Sequence, residues 1–186
     1  MITINKQNVL DALHYHLPFD GREKRSVELI KKVIRRSNNS FIQSSREHFC
    51  GSGWVLSKNY NRVLLINHKK FNRWMQLGGH VFNEEDILST AIREVKEESG
   101  IDSLELLGSI FDVDVHWIEE SSLEPSHFHY DIRFLFRSLS LTDVYQTNQV
   151  EGKLKWFALS ELQLMEESLT YSIARMKKKW EILFLQ

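Results

Sequence analysis

The stretch GGHVFNEEDILSTAIREVKEESGI, residues 78–101, concentrates glutamate in a segment whose apolar residues repeat with the spacing of an amphipathic helix. At 100° per residue the apolar side chains form one stripe, and Glu94, Glu97 and Glu98 lie along its edge. Side chains at positions i, i+3 and i+4 have Cβ atoms about 5–6 Å apart. The spacing therefore predicts three carboxylates that converge on one point at the border of the core.

This placement of acidic groups is unfavourable for a helix alone. Two unit charges at that separation repel by about 3 kcal/mol at an effective dielectric constant near 20. Glu97 and Glu98 also fall in the last turn, where the helix dipole favours Lys or Arg. A solvated acidic face relieved by Arg93 and Lys96 is the simpler interpretation, but a bound divalent cation resolves the conflict better. Oxygen ligands, without histidine or cysteine nearby in the helix, favour Mg²⁺ or Mn²⁺ over Zn²⁺.

Length and composition limit the class of protein. A chain of 186 residues is enough for one domain, or for one domain with a helical extension. The formal net charge of -1 provides no general basic field, which argues against a nucleic-acid partner. The one cysteine, Cys50, excludes an intramolecular disulfide, and the first ten residues lack the pattern of a signal peptide, so we expect a cytoplasmic protein. The apolar runs are too short to span a membrane.

The order of predicted elements favours an α/β protein, in which a sheet is sandwiched between helices. We predict two N-terminal helices, a β-hairpin, a short strand leading into a Gly78-Gly79 turn, a central helix capped by Asn83 and ended by Gly100, two further strands, and two helical segments of which Ser160 caps the first. The corresponding ranges are about 5–43 for the first helices, 50–66 for the hairpin, 74–77 for the short strand, and 104–118 and 127–139 for the later strands.

The glycine, arginine and glutamate residues of the central segment also carry a family resemblance. Gly79, five residues, Glu85, seven residues and then REVKEESGI at 93–101 match every fixed position of the box that defines the Nudix hydrolases. The chain is thus identified as a member of that family, and the flanking LLINHKKFNRWMQLGGHV resembles a bacterial subgroup of unassigned substrate. The resemblance implies a Nudix fold, with a mixed sheet between helices, over residues 46–186. Residues 1–45 would form an N-terminal helical extension outside the match.

The resemblance also implies roles for individual residues. Glu94, Glu97 and Glu98 would bind the metal, with the backbone carbonyl of Gly78 or Gly79 as a further ligand. Arg93 would orient the glutamates through charge-assisted hydrogen bonds, and Glu85 would support the loop, the helix or metal-bound water. The general base is open: Glu94 is one candidate, and a downstream acid often completes such a site. For that acid we prefer Glu151, with Asp131 second.

The segment HFHYDIRFLF, residues 127–136, alternates with period two, as expected of a strand. Its aromatic face is expected in the core, and the opposite face carries His127, His129, Asp131 and Arg133. That opposite face is either solvated or lines a pocket for phosphates or a base. We select His129, Asp131 and Arg133 as substrate-binding candidates, and add Trp74 because an indole ring can stack on a nucleobase.

By resemblance, the expected function is Mg²⁺-dependent hydrolysis of a nucleoside diphosphate linked to another moiety, with metal-activated water attacking phosphorus. One alternative is a nucleotide-binding Nudix module without turnover, and another is a Nudix-fold isomerase of isoprenoid diphosphates. The intact box disfavours the first alternative. The intact box and the lack of an evident catalytic cysteine motif disfavour the second. The partner would be a small molecule. The apolar spacing of the basic segment 22–36 already explains it as a packing helix with a solvated face, and it could also cover the site or form a homodimer interface.

Overall fold

The computed structural model describes residues 6–36, 46–69, 72–82, 85–120, 125–140, 152–162 and 171–184. The described residues form an α/β fold in which helices flank a mixed sheet, and this confirms the predicted fold class together with the N-terminal helices. The helices are α1 (Lys6–Tyr15), α2 (Gly21–Arg36), α3 (Ile87–Ser99) and α4 (Tyr171–Phe184). The strands are β1 (Glu47–Leu56), β2 (Arg62–His68), β3 (Arg73–Met75), β4 (Leu77–His80), β5 (Leu104–Ile118), β6 (His127–Ser138) and β7 (Gly152–Ala158).

Within the described residues, seven strands form one sheet in the order β3-β2-β1-β6-β5, while β4 pairs with β1 and β7 pairs with β2. Strands β1 and β2 run antiparallel with Val55 opposite Leu64, which confirms the predicted hairpin. Their turn is closed by a hydrogen bond of 2.9 Å from the amide of Ser57 to the carbonyl of Arg62. The hairpin places β1 in the middle of the strand order.

The described residues fall into two compact units. The first contains those within Met1–Ser52, Gly78–Ala91 and Gly108–Phe134, and the second contains those within Gly53–Leu77, Ile92–Leu107 and Leu135–Gln186. Helix α3 and the strands β1, β5 and β6 contribute residues to both units. The buried apolar side chains of the first unit include Leu13, Ile30, Ile87, Val113 and Ile132, and those of the second include Trp54, Leu64, Val95, Phe136 and Phe157.

Helix α2 belongs to the first unit and begins with a well-defined cap. The carboxylate Oδ1 of Asp20 accepts a hydrogen bond of 2.8 Å from the amide of Glu23, which satisfies one of the free donors of the first turn. Glu23 is itself fully buried, and its Oε2 accepts a hydrogen bond of 2.7 Å from the amide of Phe19. The start of α2 is therefore fixed by two carboxylates that bind backbone donors, as in a capping box.

The same helix is attached to β5, the last strand in the order, by hydrogen bonds from backbone to side chain. The amide of Val113 donates to Glu23 Oε1 at 3.1 Å, and the amide of Val115 donates to Ser26 Oγ at 3.1 Å. A strand at the end of a sheet order has backbone groups that lack a strand partner. Side chains of α2 occupy this role along part of β5, so the N-terminal helix is integrated with the sheet in this unit.

Helix α3, which carries the glutamates, begins later than predicted. The predicted cap, Asn83, lies outside the described residues, and the helix begins at Ile87. Asp86 takes the capping position, because its Oδ1 accepts a hydrogen bond of 2.9 Å from the amide of Ser89. The predicted end is confirmed: Gly100 has a φ of 70° and its amide donates to the carbonyl of Lys96 at 2.8 Å.

The prediction of a turn at Gly78-Gly79 is wrong, because both residues lie in strand β4, which pairs with β1. A Cβ atom on Gly78 would lie 2.3 Å from Ser52 Oγ and 2.6 Å from Ser52 Cα. Gly78 is therefore needed for the close approach of two strands. The helical segment predicted after Ser160 lies largely outside the described residues, and α4 supplies the second C-terminal segment.

No helix within the described ranges has the length and apolar character needed to cross a membrane.

The packing of α3 against β1 at Gly51 generates a stability prediction. A Cβ atom at Gly51 would lie 2.3 Å from the carbonyl oxygen of Ile87 and 2.9 Å from the amide nitrogen of Ala91. These are backbone atoms of the helix, so the substitution Gly51→Ala forces the helix and strand apart. We expect the free energy of unfolding, measured with urea, to fall by about 2 kcal/mol or more.

The matched control is Gly21→Ala, where the nearest atom to the new Cβ is Arg25 Nη1 at 3.5 Å. This contact is of ordinary length, so we expect a change within about 0.5 kcal/mol. Equal stability of the two variants would show that α3 does not depend on the close approach to β1.

Candidate active site

The glutamates of α3 and the arginine that precedes them form a cluster within the second unit. Arg93 Nη1 donates to Glu94 Oε1 at 2.7 Å and to Glu97 Oε2 at 3.0 Å. Helix α3 buries Val95 completely, whereas the side chain of Glu94 is 14% exposed and that of Glu97 is 50% exposed. The carboxylates thus lie at the border between core and solvent, and a single nitrogen of Arg93 contacts two of them.

Glu98 follows on the same edge of α3 and is partly buried. With Glu94 and Glu97 it gives three carboxylates, whereas the guanidinium of Arg93 supplies one positive charge. Hard oxygen ligands with a surplus of negative charge are the donor set that Mg²⁺ and Mn²⁺ prefer. The residues present therefore fit the metal that the family resemblance implies.

Glu85 lies in the first unit, just before α3. Its Oε2 accepts a hydrogen bond of 2.9 Å from the hydroxyl of Thr90, a buried residue in the first turn of the helix. The carboxylate thereby stands near the positive end of the helix dipole. This contact supports a structural contribution of Glu85 to the start of the helix.

Most of the polar face of β6 is buried, which rules out the first of the two alternatives, a solvated face. Arg133 is 1% exposed and Asp131 is 2% exposed, while Tyr130 and Ile132 on the other face are also buried. A buried guanidinium requires partners that offset the cost of removing it from water. Those partners are three carboxylates within the same unit, from Asp112, Asp114 and Asp131.

The guanidinium of Arg133 makes short contacts in two directions. Its Nε donates to Asp131 Oδ2 at 2.7 Å and its Nη1 donates to Asp112 Oδ2 at 2.8 Å. The other oxygen of Asp131 accepts a hydrogen bond of 2.7 Å from Ser52 Oγ on β1. The planar donor fork of arginine suits this arrangement, which connects β1, β5 and β6.

Two pKa values in this network are displaced in opposite directions. Burial lowers the pKa of Arg133, but the charges of Asp131, Asp112 and Asp114 outweigh burial and leave that pKa above its usual value. Burial raises the pKa of Asp114, but a hydrogen bond from His116 and the charges of Arg133, His116 and Arg22 outweigh it and lower that pKa. Arg133 and Asp114 are therefore both charged near neutral pH.

The substrate-binding candidates have the following surroundings. Arg133 and Asp131 are engaged with each other, and His129 lies among other histidines. Trp74, on β3 in the second unit, is partly buried and packs edge-on against Phe157 with ring centroids 4.7 Å apart. Contact of these four residues with substrate stays a prediction, as does a role in metal binding for Gly78 and Gly79 on β4. Glu151, the preferred downstream acid, lies outside the described residues.

A group of four histidines in the first unit was missed in the sequence analysis. His48, His80, His127 and His129 each offer a ring nitrogen, and these nitrogens all lie within 4.8 Å of one another. Burial and the charges of His80, His116, His127 and His48 lower the pKa of His129 to about 2. The motif HFH was a usable signal, because residues two apart on a strand share a face. The local sequence does not indicate that His48 and His80 join this group, because they lie on other strands.

Comparison with known proteins agrees with the geometry of α3. Residues 51–178 match the family model of the NUDIX domain, which includes the helix with its arginine and glutamates. The fold and the box define a class of hydrolases that act on pyrophosphate bonds. The chain belongs to the Nudix family.

Solved structures share the fold. A Nudix-family hydrolase from Clostridium perfringens has 23% identity and a TM-score of 0.56, over 73% of this chain and 97% of that one. A C. elegans Ap4A hydrolase in a binary complex has 18% identity and a TM-score of 0.59, over 74% of this chain and 98% of that one. A MutT protein from Methanosarcina mazei Go1 has 18% identity and a TM-score of 0.53, over 78% and 100% of the two chains. No curated protein sequence matches significantly.

Arg133 provides a second stability prediction. Removal of its charge in Arg133→Met leaves buried carboxylates without their main cation, so we expect the free energy of unfolding at pH 7 to fall by about 3–5 kcal/mol. The control Arg22→Met removes a cation that contacts Asp114 at 3.2 Å but is itself 41% exposed, and we expect a loss of about 0–1 kcal/mol. Chemical denaturation of both variants measures the difference.

The stability of the fold is expected to fall at acid pH because of Asp114. A carboxylate with a lowered native pKa stabilises the fold above its ordinary pKa, which for Asp114 is 3.8, and this stabilisation is lost as the pH falls below that value. Arg133→Met removes a charge that lowers the pKa of Asp114. We therefore expect its acid unfolding to begin at a higher pH than that of the wild type. An unchanged acid transition in a folded variant would contradict the assigned ion pairs.

Proposed function

We propose that the protein is a Mg²⁺- or Mn²⁺-dependent pyrophosphohydrolase that cleaves a nucleoside diphosphate linked to another moiety. The observation that carries this proposal is the complete Nudix box, on whose helix α3 Arg93 Nη1 contacts both Glu94 and Glu97. The arrangement gathers negative charge at the end of a helix where the dipole disfavours it. A cation-binding function accounts for that cost.

Glu94, Glu97 and Glu98 are the residues proposed to hold the metal. When bound, a divalent ion neutralises charge on the phosphates and lowers the pKa of an attacking water molecule. Arg93 orients two of these carboxylates, because charge-assisted hydrogen bonds of 2.7 and 3.0 Å restrict the oxygens of Glu94 and Glu97. The chain thus supplies a pre-arranged set of oxygen ligands, which reduces the entropy lost when the site assembles.

The proton of the attacking water requires an acceptor on the protein. Glu151 is the proposed acceptor, with Glu94 as the alternative. Asp131 is a weaker candidate, because one of its oxygens accepts from Ser52 Oγ and the other from Arg133 Nε, and the side chain is buried. We propose that Asp131 and Arg133 support the fold of the first unit.

The proposed substrates are nucleotide derivatives. The Ap4A hydrolase is named for a nucleotide substrate, which supports the inclusion of dinucleoside polyphosphates among the compounds to test. The one cysteine, Cys50, is buried, and the proposed location of the protein is the reducing cytoplasm. Neither a nucleic-acid partner nor a membrane is part of the proposal, and a homodimer formed through the basic helix α2 stays a prediction.

The experiment that tests the function is a panel of potential substrates incubated with enzyme and Mg²⁺ or Mn²⁺. The panel contains nucleoside triphosphates, nucleotide sugars, dinucleoside polyphosphates and dinucleotide cofactors, and the products are separated by chromatography. Metal-dependent hydrolysis of one class, stopped by a chelator, would identify the substrate group. Tight nucleotide binding without turnover across the panel would instead support a binding module.

The variant Glu98→Gln gives the corresponding residue-level prediction. Loss of one metal-binding carboxylate is expected to lower kcat by at least about 10³-fold, roughly 4 kcal/mol of transition-state stabilisation. The free energy of unfolding is expected to stay constant or rise slightly, because the change removes part of the repulsion along α3.

Glu28→Gln is the control, since Glu28 is an exposed carboxylate on α2. We expect this variant to retain wild-type kcat. Full turnover by a folded Glu98→Gln enzyme would rule out Glu98 as a metal ligand.

A further inference from the structure

Three ring nitrogens of the histidine group converge on one point in the first unit. His129 Nε2 lies 2.9 Å from His80 Nε2 and also 2.9 Å from His127 Nε2. His48 completes the group, with its ring centroid 4.1 Å from that of His127 and 4.7 Å from that of His80. All four side chains come from strands, β1, β4 and β6, so the backbone that presents them is fixed by the sheet.

The protonation of His127 follows from its second ring nitrogen. His127 Nδ1 lies 2.7 Å from the carbonyl oxygen of Pro125, which is an acceptor only, so Nδ1 carries the proton and donates it. In a neutral ring, Nε2 of His127 then presents a lone pair to His129. A histidine whose Nδ1–H is held by a backbone carbonyl while Nε2 faces inward has the orientation of a metal ligand.

The hydrogen bonds that His129 Nε2 makes with His80 and His127 conflict with each other. If His129 Nε2 carries a proton, it can donate that proton to His80 Nε2 and His127 Nε2 only as a shared, weakened hydrogen bond. If it carries none, the lone pairs of His129 Nε2 and His127 Nε2 face each other at 2.9 Å. An added proton would create an imidazolium in a buried site among other imidazoles. A positive charge in such a buried group is unfavourable.

A metal ion removes the conflict, because each neutral imidazole donates a lone pair to it. Nitrogen ligands at about 2.0–2.1 Å from a tetrahedral Zn²⁺ ion lie roughly 3.3–3.4 Å from one another. The histidine nitrogens have close pairs at 2.9 Å and a largest separation within 4.8 Å, so this spacing is reached with small adjustments of the rings. Four protein ligands close the tetrahedral coordination, as in structural zinc sites, and imidazole nitrogen is a suitable ligand for zinc.

The charges around the histidines also suit a cation. His116, whose ring centroid lies 5.3 Å from that of His129, contacts Asp114 Oδ2 through its Nδ1 at 3.2 Å. In the network of the same unit, three aspartates face the two arginines Arg133 and Arg22. Asp114 thus brings a carboxylate close to the histidine group, which favours a cation bound there.

We propose that His48, His80, His127 and His129 form a tetrahedral site for Zn²⁺, made of different residues from the carboxylates of the Nudix box. The site binds one ion per chain and links β1, β4 and β6 within the first unit. With all four positions taken by protein ligands, the ion has a structural task and leaves no open position for substrate. The protein would thus contain a tightly held zinc ion in addition to the magnesium or manganese of the hydrolytic site.

The test is zinc binding by the full-length protein. The protein is stripped with a chelator, dialysed, and titrated with Zn²⁺ against a competing indicator, and zinc content is checked by elemental analysis. We expect one tightly bound ion per chain and a rise in the thermal midpoint on binding. Titration with Co²⁺ should give the intense visible absorption of a tetrahedral site.

Two ligand variants and two controls make the assignment specific. His127→Gln and His129→Gln are expected to weaken zinc binding by at least about 100-fold, because loss of an outer partner of a ligand already costs about 10–100-fold. His14→Gln, which changes an exposed histidine of α1, is expected to retain the wild-type affinity. Glu98→Gln is also expected to retain it, which separates this site from the hydrolytic one.

The outcomes are decisive in both directions. One zinc ion per chain, a tetrahedral cobalt spectrum and loss of binding in the histidine variants would establish the site. If folded wild-type protein binds no zinc at stoichiometric concentration, or if the histidine variants bind as tightly as His14→Gln, the proposal is wrong. Should the variants fail to fold, the wild-type titration and its cobalt spectrum decide alone.

Discussion

The first unit depends on the ion pairs that the buried guanidinium of Arg133 makes with three aspartates. A charge with 1% exposure is tolerated only because its Nε and Nη1 donate to Asp131 and Asp112 at 2.7 and 2.8 Å. Asp131 also accepts a hydrogen bond from Ser52 of β1, and Asp114 accepts one from Arg22 of α2, so the positions of these elements are coupled to that of Arg133. Geometry rather than apolar area therefore specifies how these elements fit, because a shift of any strand would leave a buried charge unpaired.

The sequence was sufficient for most of the elements and for the family, because both depend on local patterns. Strands predicted at 104–118 and 127–139 correspond to Leu104–Ile118 and His127–Ser138, and the spacing of the glutamates on α3 identified the family. The burial of the polar face of β6 could not be predicted from local patterns. Arg133 pairs with Asp112, 21 residues away on another strand, and alternation alone cannot distinguish a solvated polar face from a buried one whose charges are paired.

Gly78 is a second case in which the local sequence could not decide the structure. A pair of glycines is a common turn signal, but it is equally the signal for a close approach of two backbones. The structure requires the second explanation, because a Cβ atom would meet Ser52 Oγ at 2.3 Å. Only the position of β1 in space decides between them, and this position is a property of the whole sheet.

The two groups of potential metal ligands differ in chemical hardness, and this difference would allow each to select its own ion. Carboxylates on α3 suit Mg²⁺ or Mn²⁺, whereas imidazoles favour ions such as Zn²⁺ that bind nitrogen more strongly. On α3, Arg93 relieves part of the repulsion by contacting Glu94 and Glu97, but one guanidinium does not balance three carboxylates. In the proposed hydrolytic site, a divalent ion would reduce the repulsion between these carboxylates, and its binding would in turn stabilise the native state by mass action. The repulsion along the helix is thus the physical basis of the proposed hydrolytic site, and a sequence with neutral residues there would gain helix stability at the expense of the proposed metal affinity.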